Sequence, residues 1–280
     1  MKSCNVCIIR PEGYLWSSVF QEMAELIAFS IEDNGYQVKI SENFLDTSAL
    51  NIMIGCHLAD ISLIPQIPKN TIIFNTEQIG QGPQIWNERV IKFVDKFESW
   101  DYSLENIVKL KSLGIKQPKF FQFGYHPKLE RLSNSQKEID VLFYGSITPS
   151  RLNVLNAIEA SGLKLKKIFG LFGAERDYYI ERSKIILNLH QHDSKIFEIV
   201  RVHYLMNNSK VVVTQCDHDS KIDANYQDGV ILSSHENIPN ACLAAVQSND
   251  ILLNFEKKSL QTIKKLNSVQ IMKNLLSEQN

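Results

Sequence analysis

Neither glycine fingerprint of a nucleotide-binding loop, GxGxxG or GxxxxGK[ST], occurs in the 280-residue chain, and none follows the first apolar run. That absence argues against a plain Rossmann dehydrogenase and against a P-loop nucleotide hydrolase. Serine nucleophile elbows and lysine-based catalytic motifs are missing as well. No apolar run approaches the ~20 residues of a membrane span, and the start of the chain, MKSCNVCIIRPEGY, lacks the apolar core of a signal peptide. Any membrane contact would therefore be peripheral. There is no solenoid repeat and no low-complexity tract. Charge is nearly balanced, with 30 Lys and Arg against 31 Asp and Glu, so no electrostatic case exists for nucleic acid as the main partner. The local basic stripes, Lys164, Lys166 and Lys167, then Lys264 and Lys265, read as solvated faces.

Cysteine is scarce and odd in number: Cys4, Cys7, Cys56, Cys216 and Cys242. Four sit in or beside apolar runs, which predicts reduced, buried thiols and a cytoplasmic protein. Cys4 and Cys7 have CxxC spacing within one strand, where their side chains face opposite ways, and no second CxxC exists; no zinc site is expected.

What is present is an alternation of short apolar runs with amphipathic segments, in a chain 44% hydrophobic and 22% charged. This is the pattern of parallel-sheet α/β domains. Strands are expected at residues 3–10, 36–40, 51–56, 71–75, 99–102 and 119–123. A long helix is expected over 14–34, with Phe20, Met23, Leu26, Ile27 and Ile31 at helical spacing, and further helices over 87–97 and 104–113. Ser103 is placed to cap the last of these, and Gly114 ends it. Residues 128–138, KLERLSNSQKE, lack apolar periodicity and read as a linker. The expected organisation is a first domain over 1–127, a linker over 128–138, a second βα domain over 139–250, and a terminal helical segment over 251–280.

Several positions carry candidate chemistry. Ile139 to Tyr144 form an apolar run that ends in Gly145 and Ser146, and a helix opens near Pro149 with Arg151 in its first turn. A strand, a glycine turn and a helix N-terminus make a phosphate cradle, because free N–H groups and the helix dipole converge there. The turn Gly170 to Gly173 could deliver Arg176 to an anion, or could be an ordinary capped helix start. His190 ends another apolar run. With His192 and Asp193 it lacks a third metal ligand, so a polar contact to a ligand is the better reading. Glu198 and Arg201 share a helical face, as an intrahelical ion pair or as groups around a ribose. Glu77 follows the 71–75 strand directly, at the carboxyl edge where open α/β sheets bind ligands. Glu12 and His126 also follow strands.

Taken as a set, DYSxxN (Asp101 to Asn106), DVLFYGS (Asp140 to Ser146), FGxxGAERD (Phe169 to Asp177), SKIILNLH (Ser183 to His190) and FEIVRVHYL (Phe197 to Leu205) resemble a group of bacterial glycosyltransferase-like proteins related to the GT-B glycosyltransferases. The resemblance implies two Rossmann-like domains facing across a cleft, with a nucleotide-sugar donor held by the C-terminal domain and a hydroxyl acceptor by the N-terminal one. It implies no cofactor, no obligatory metal, and a C-terminal helix packing back. Gly145, Ser146 and Arg151 would lie near the donor diphosphate, Glu198 near the ribose and His190 near the sugar or phosphate, with Gly173, Arg176 and Arg201 in the same donor set. The paired glutamates eight apart of many retaining members are not both here: His190 stands eight before Glu198.

On that reading Arg151 and Arg176 neutralise the leaving diphosphate. Glu77 is the expected base, with Glu12 and His126 behind it. Two other readings stay open: a catalytically silent nucleotide-sugar or partner-binding protein of this fold, and a nucleotide-sugar epimerase of the GT-B type.

Overall fold

The computed structural model describes residues 2–133 and 135–277. Met1, Asn134 of the expected linker, and residues 278–280 at the end of the expected terminal segment lie outside them. The chain forms two compact units. One runs up to His126 and resumes at Asn267; the other runs from Pro127 to Leu266.

In the first unit, β1 (Ser3–Ile8), β2 (Gln37–Glu42), β3 (Leu50–Ile54), β4 (Thr71–Asn75), β5 (Glu98–Asp101) and β6 (Pro118–Phe120) form one sheet in the order β2-β1-β3-β4-β5-β6. Helices α1 (Gln21–Glu32), α2 (Gln84–Lys96) and α3 (Leu104–Ser112) alternate with them. Every strand pairing described is parallel. All five residues of β4 are buried, as a strand covered on both faces requires. Met53 and Ile73 of the sheet pack with Val90, Phe93 and Val94 of α2 and Leu110 of α3. Ser103 caps α3 as expected, its Oγ accepting from Asn106 N.

The second unit repeats the plan with β7 (Ile139–Tyr144), β8 (Leu165–Ile168), β9 (Ser183–Asn188), β10 (Val211–Gln215) and β11 (Ile231–Ser233), in the order β11-β10-β9-β7-β8. Its helices are α4 (Pro149–Ala160), α5 (Gly173–Glu181), α6 (Ile199–Asn207), the short α7 (Ala224–Gln227), α8 (Ile238–Gln247) and α9 (Asn249–Lys264). Val141, Phe143, Ile185, Leu187, Val211 and Val213 meet Val154, Leu155 and Ile158 of α4 in its core. In each unit the strand order reverses beside its first strand, between β1 and β3 and between β7 and β9. The crevice outside the carboxyl ends at that point is where open α/β sheets take ligands.

Two expectations are corrected. The long helix over 14–34 is a 3-10 turn over Leu15–Phe20 followed by α1. Ser17 Oγ donates to Ile9 O at 2.8 Å, binding the turn to the end of β1. The terminal segment does not run as one helix. α9 stays with the second unit, whereas α10 (Ser268–Ser277) belongs to the first and lies on α1. Asn267 makes the break, its Oδ1 accepting from Gln270 N at 3.1 Å. Tyr125 and Asn267 form a parallel bridge, and Asn34 Nδ2 donates to Val269 O at 2.9 Å, so α10 enters beside the point where the chain leaves the unit.

Candidate functional site

The second unit gathers the donor-set residues around its switch point. β7 is followed by Gly145, whose φ of +137° suits glycine alone; a Cβ there would meet Arg201 Nη2 at 3.2 Å. Arg151, in the first turn of α4, is buried, with 2% of its surface exposed. Its Nε donates to His190 O (3.2 Å) and its Nη1 to Ser146 O (2.9 Å) and to Gln191 Oε1 (3.3 Å). Nη2 donates to Leu189 O. Arg151 therefore ties the loop after β7 to the loop after β9. Burial lowers its pKa to about 10, with Arg201 nearby acting in the same sense.

The diphosphate role expected for Arg151 does not fit this geometry, because the guanidinium is buried and bonds three backbone carbonyls and the Gln191 side chain. Arg176 is likewise engaged. Its Nη2 donates to Asp177 Oδ1 at 2.7 Å, its guanidinium lies over the Tyr204 ring at 4.9 Å, and Tyr204 Oη donates to the same carboxylate. It holds α5 against α6 rather than offering its charge to a ligand. Gly173, φ +52°, opens α5 with nothing within 4 Å of a Cβ, so it serves the turn.

Arg201 differs. It is half-buried beside Gly145, lies over the Tyr144 ring at 4.9 Å, and donates from Nη1 to Asn188 Oδ1 at 3.3 Å. Asn188, at the end of β9, donates to Glu198 Oε2 (3.0 Å) and to Thr214 Oγ1 (2.8 Å). Glu198 precedes α6. Burial pushes its carboxyl up, but His190, Arg201 and Asn188 outweigh burial and hold it below its ordinary value. Its Oε1 is buried without a hydrogen-bond partner. An ionised carboxylate oxygen in that state has an open place for a hydrogen-bond donor, which a hydroxyl can fill. His190 is buried, with Nδ1 3.5 Å from Glu198 Oε2 and Nε2 3.0 Å from Ser220 Oγ. Gly145, Ser146, His190, Glu198 and Arg201 are thus brought together, and Asn188 and Ser220 join them. A polar residue ending a buried strand was the available signal for Asn188.

In the first unit Glu77 stands at the carboxyl edge after β4. Its Oε1 lies 3.4 Å from Nε2 of His57, a residue the sequence reading did not single out. Gly55-Cys56-His57 follows β3 just as Thr76-Glu77 follows β4, and that parallel was the missed signal. The His57 ring is buried against Trp86, with centroids 4.9 Å apart, and Phe20, 6.0 Å apart. Burial, with Arg89 adding to it, lowers His57 to about 4, so it is neutral near pH 7. Burial raises Glu77 to about 7, with Thr76 opposing. About a quarter of the Glu77 side chain still reaches solvent. A carboxyl titrating near neutrality with a solvent-facing edge can take up a proton from a hydroxyl.

Glu12 is exposed in the turn after β1. His126 is fully buried against Phe29, with Nε2 3.3 Å from Asp33 Oδ2. The expected catalytic role of His126 is corrected to a packing one at the exit of the first unit. Among the described residues, no group of three or more His, Cys, Asp or Glu side chains could hold a metal ion. No helix among them is long and apolar enough to cross a membrane.

The two all-parallel units make up the GT-B fold. Anabaena HepE, solved with UDP and glucose, superposes with a TM-score of 0.64 at 9% identity over 98% of both chains. T4 phage BGT, solved with its UDP-glucose substrate, gives 0.60 at 11% identity over 99% of both. WaaG, a glycosyltransferase involved in lipopolysaccharide biosynthesis, gives 0.57 at 10% over 97% of this chain and 98% of its own. No family model matches the chain. By sequence it is similar to the uncharacterized protein L138 of Acanthamoeba polyphaga mimivirus, 30% identical over 167 residues. The match takes 57% of this chain and 18% of L138, so the chain spans less than a fifth of that relative's length.

Proposed function

We propose that the chain transfers a glycosyl group from a nucleotide sugar to a hydroxyl acceptor, with the second unit holding the donor and the first the acceptor. The observation that carries this reading is the buried, partnerless Oε1 of Glu198 beside Arg201 and the Gly145 turn. These lie together at the switch point, offering an acceptor for a ribose hydroxyl and a guanidinium with a glycine turn for a diphosphate. Neighbours of the same fold carry UDP and UDP-glucose, which supports the donor class.

On this reading Arg201 and the backbone N–H groups after β7 stabilise charge as the nucleoside diphosphate leaves, without a resident metal. Glu77 takes the proton of the attacking hydroxyl, its pKa near neutrality matching that task. His190 orients Glu198 from behind.

The test is a thermal-shift series with UDP-, GDP-, CMP- and dTDP-sugars. A ligand at ~100 times its dissociation constant adds about 2.7 kcal/mol of stability. A response to one nucleotide class supports the donor site; silence from all four, with Arg201→Ala melting like the parent, sinks it.

A further inference from the structure

Glu77 stands on a stretch of irregular backbone, residues 76–79, that buried side chains nonetheless hold firmly. Asn75 Oδ1 accepts from Glu77 N at 3.1 Å, and Asn75 Nδ2 donates to Glu77 O at 2.8 Å. Asn106, from the first turn of α3, donates to the same carbonyl at 2.8 Å, and its Oδ1 accepts from Ile79 N at 2.9 Å. Each amide does this work only if its oxygen and nitrogen face the right way, and each could turn over.

Asp101 removes that freedom. It ends β5 directly opposite Asn75 in the parallel register. Its Oδ2 accepts from Asn75 Nδ2 at 2.6 Å, and its Oδ1 accepts from Asn106 Nδ2 at 3.1 Å and from Ser103 N at 2.8 Å. Asn75, Asp101 and Asn106 are all fully buried, so no water stands ready to replace a lost bond. Burial raises Asp101 to about 7 against the opposing bonds from Asn75, Ser103 N and Asn106; once ionised it is an acceptor at both oxygens, so both amides must turn their NH2 groups toward it. An asparagine at 101 would set NH2 against NH2 on one side, and one of the two neighbouring amides would flip or lose its partner.

We propose that Asp101 is the positioning residue for Glu77. By orienting Asn75 and Asn106 it fixes the backbone at Glu77, and so the place of the carboxyl beside His57. The proposal rests on the reading of Glu77 as the base, and it gives the Asp101-Ser103-Asn106 motif a task beyond starting α3. The competing account is that Asp101 serves only the helix start through Ser103 N.

The test titrates Glu77 itself. Protein labelled at the glutamate carboxyl carbon is followed by NMR against pH, and the Glu77 signal is assigned by its loss in Glu77→Gln. In Asp101→Asn the Glu77 midpoint is expected to fall by about one unit or more as the loosened loop takes on water. UDP release from UDP-glucose is expected to fall about tenfold or more in kcat, with KM nearly unchanged, because a misplaced base costs chemistry and not binding. Ser103→Ala removes the helix cap, so it should melt lower while Glu77 titrates as in the parent. An unchanged Glu77 midpoint in Asp101→Asn overturns the proposal. Should that variant fail to fold, Asn106→Ala removes the bonds to Glu77 O and Ile79 N directly, and an unchanged midpoint there overturns it equally. A shifted midpoint together with full turnover by Glu77→Gln upholds the positioning and sinks the base reading.

Discussion

His190 Nδ1 lies 3.5 Å from Oε2 of Glu198, eight positions further along the chain. Ser220 Oγ approaches the other ring nitrogen at 3.0 Å and itself accepts from Asp217 N at 2.9 Å. A tautomer with its proton on Nδ1 would leave Nε2 to accept from Ser220 Oγ and turn the Nδ1 proton toward Glu198, although Nδ1 makes no hydrogen bond at this separation. A histidine in this place approaches the carboxylate without setting a second carboxylate beside it. Glu198→Gln is therefore expected to fold and to weaken nucleotide-sugar binding by about tenfold, the scale of one charge-assisted hydrogen bond. Calorimetric titration with UDP-glucose measures it, and equal affinity in the variant would remove Glu198 from the donor site.

Gly145→Ala should fail for two reasons at once. A φ of +137° strains a residue that carries a Cβ, and that Cβ would press on Arg201 Nη2. Strain of this kind costs on the order of 1–3 kcal/mol. The variant is expected to melt lower and to lose the stabilisation that a nucleotide sugar gives the parent. Melting curves with and without UDP-glucose report both effects.

Arg151→Ala and Arg201→Ala should separate cleanly. The first leaves the carbonyls of Ser146, Leu189 and His190 without their donor. Each buried orphan costs ~1–3 kcal/mol, so folding itself is at risk. The second removes a half-buried guanidinium and should keep the fold while abolishing the response to nucleotide. The opposite pattern would restore the diphosphate role to Arg151.

Glu77→Gln should keep donor binding and lose transfer, and it should also change stability with pH. The carboxyl titrates near 7 in the folded protein, above its ordinary 4.5. Its contribution is then fully present below about 4.5 and is lost as pH rises through 7. Glutamine has no such loss, so urea denaturation should find the variant gaining on the parent between pH 4.5 and 8. The gain is roughly 1–3 kcal/mol, trimmed by the exposed edge of the side chain.

Much of the frame was legible because local rules and tertiary packing agree there. β4 was readable as an unbroken apolar run between turn residues, and Ser103 as a cap, since each signal is complete within a few positions. The turn at Leu15–Phe20 was not, because its apolar spacing continues that of α1 while the bond from Ser17 to Ile9 breaks the helix from outside. The same holds at Asn267, where the apolar pattern runs on but a side-chain cap starts a new helix. Arginine roles were the least legible. Arg151, Arg176 and Arg201 look equally apt for an anion in sequence, and only burial and partners show which guanidinium still faces the turn. His57 was passed over because one histidine after a strand carries no pattern of its own.

The return of α10 onto α1 sets an order of events during synthesis. The second unit has all its elements once Leu266 has been made, whereas the first still lacks the helix that lies on α1. Ile27 and Ile31 of α1, fully buried in the folded unit, belong to a unit whose α10 is made only after the whole of the second unit. Of the two units, the one begun first thus receives α10 last, and the nascent chain must keep the α10-facing side of α1 waiting while the whole of the second unit is made.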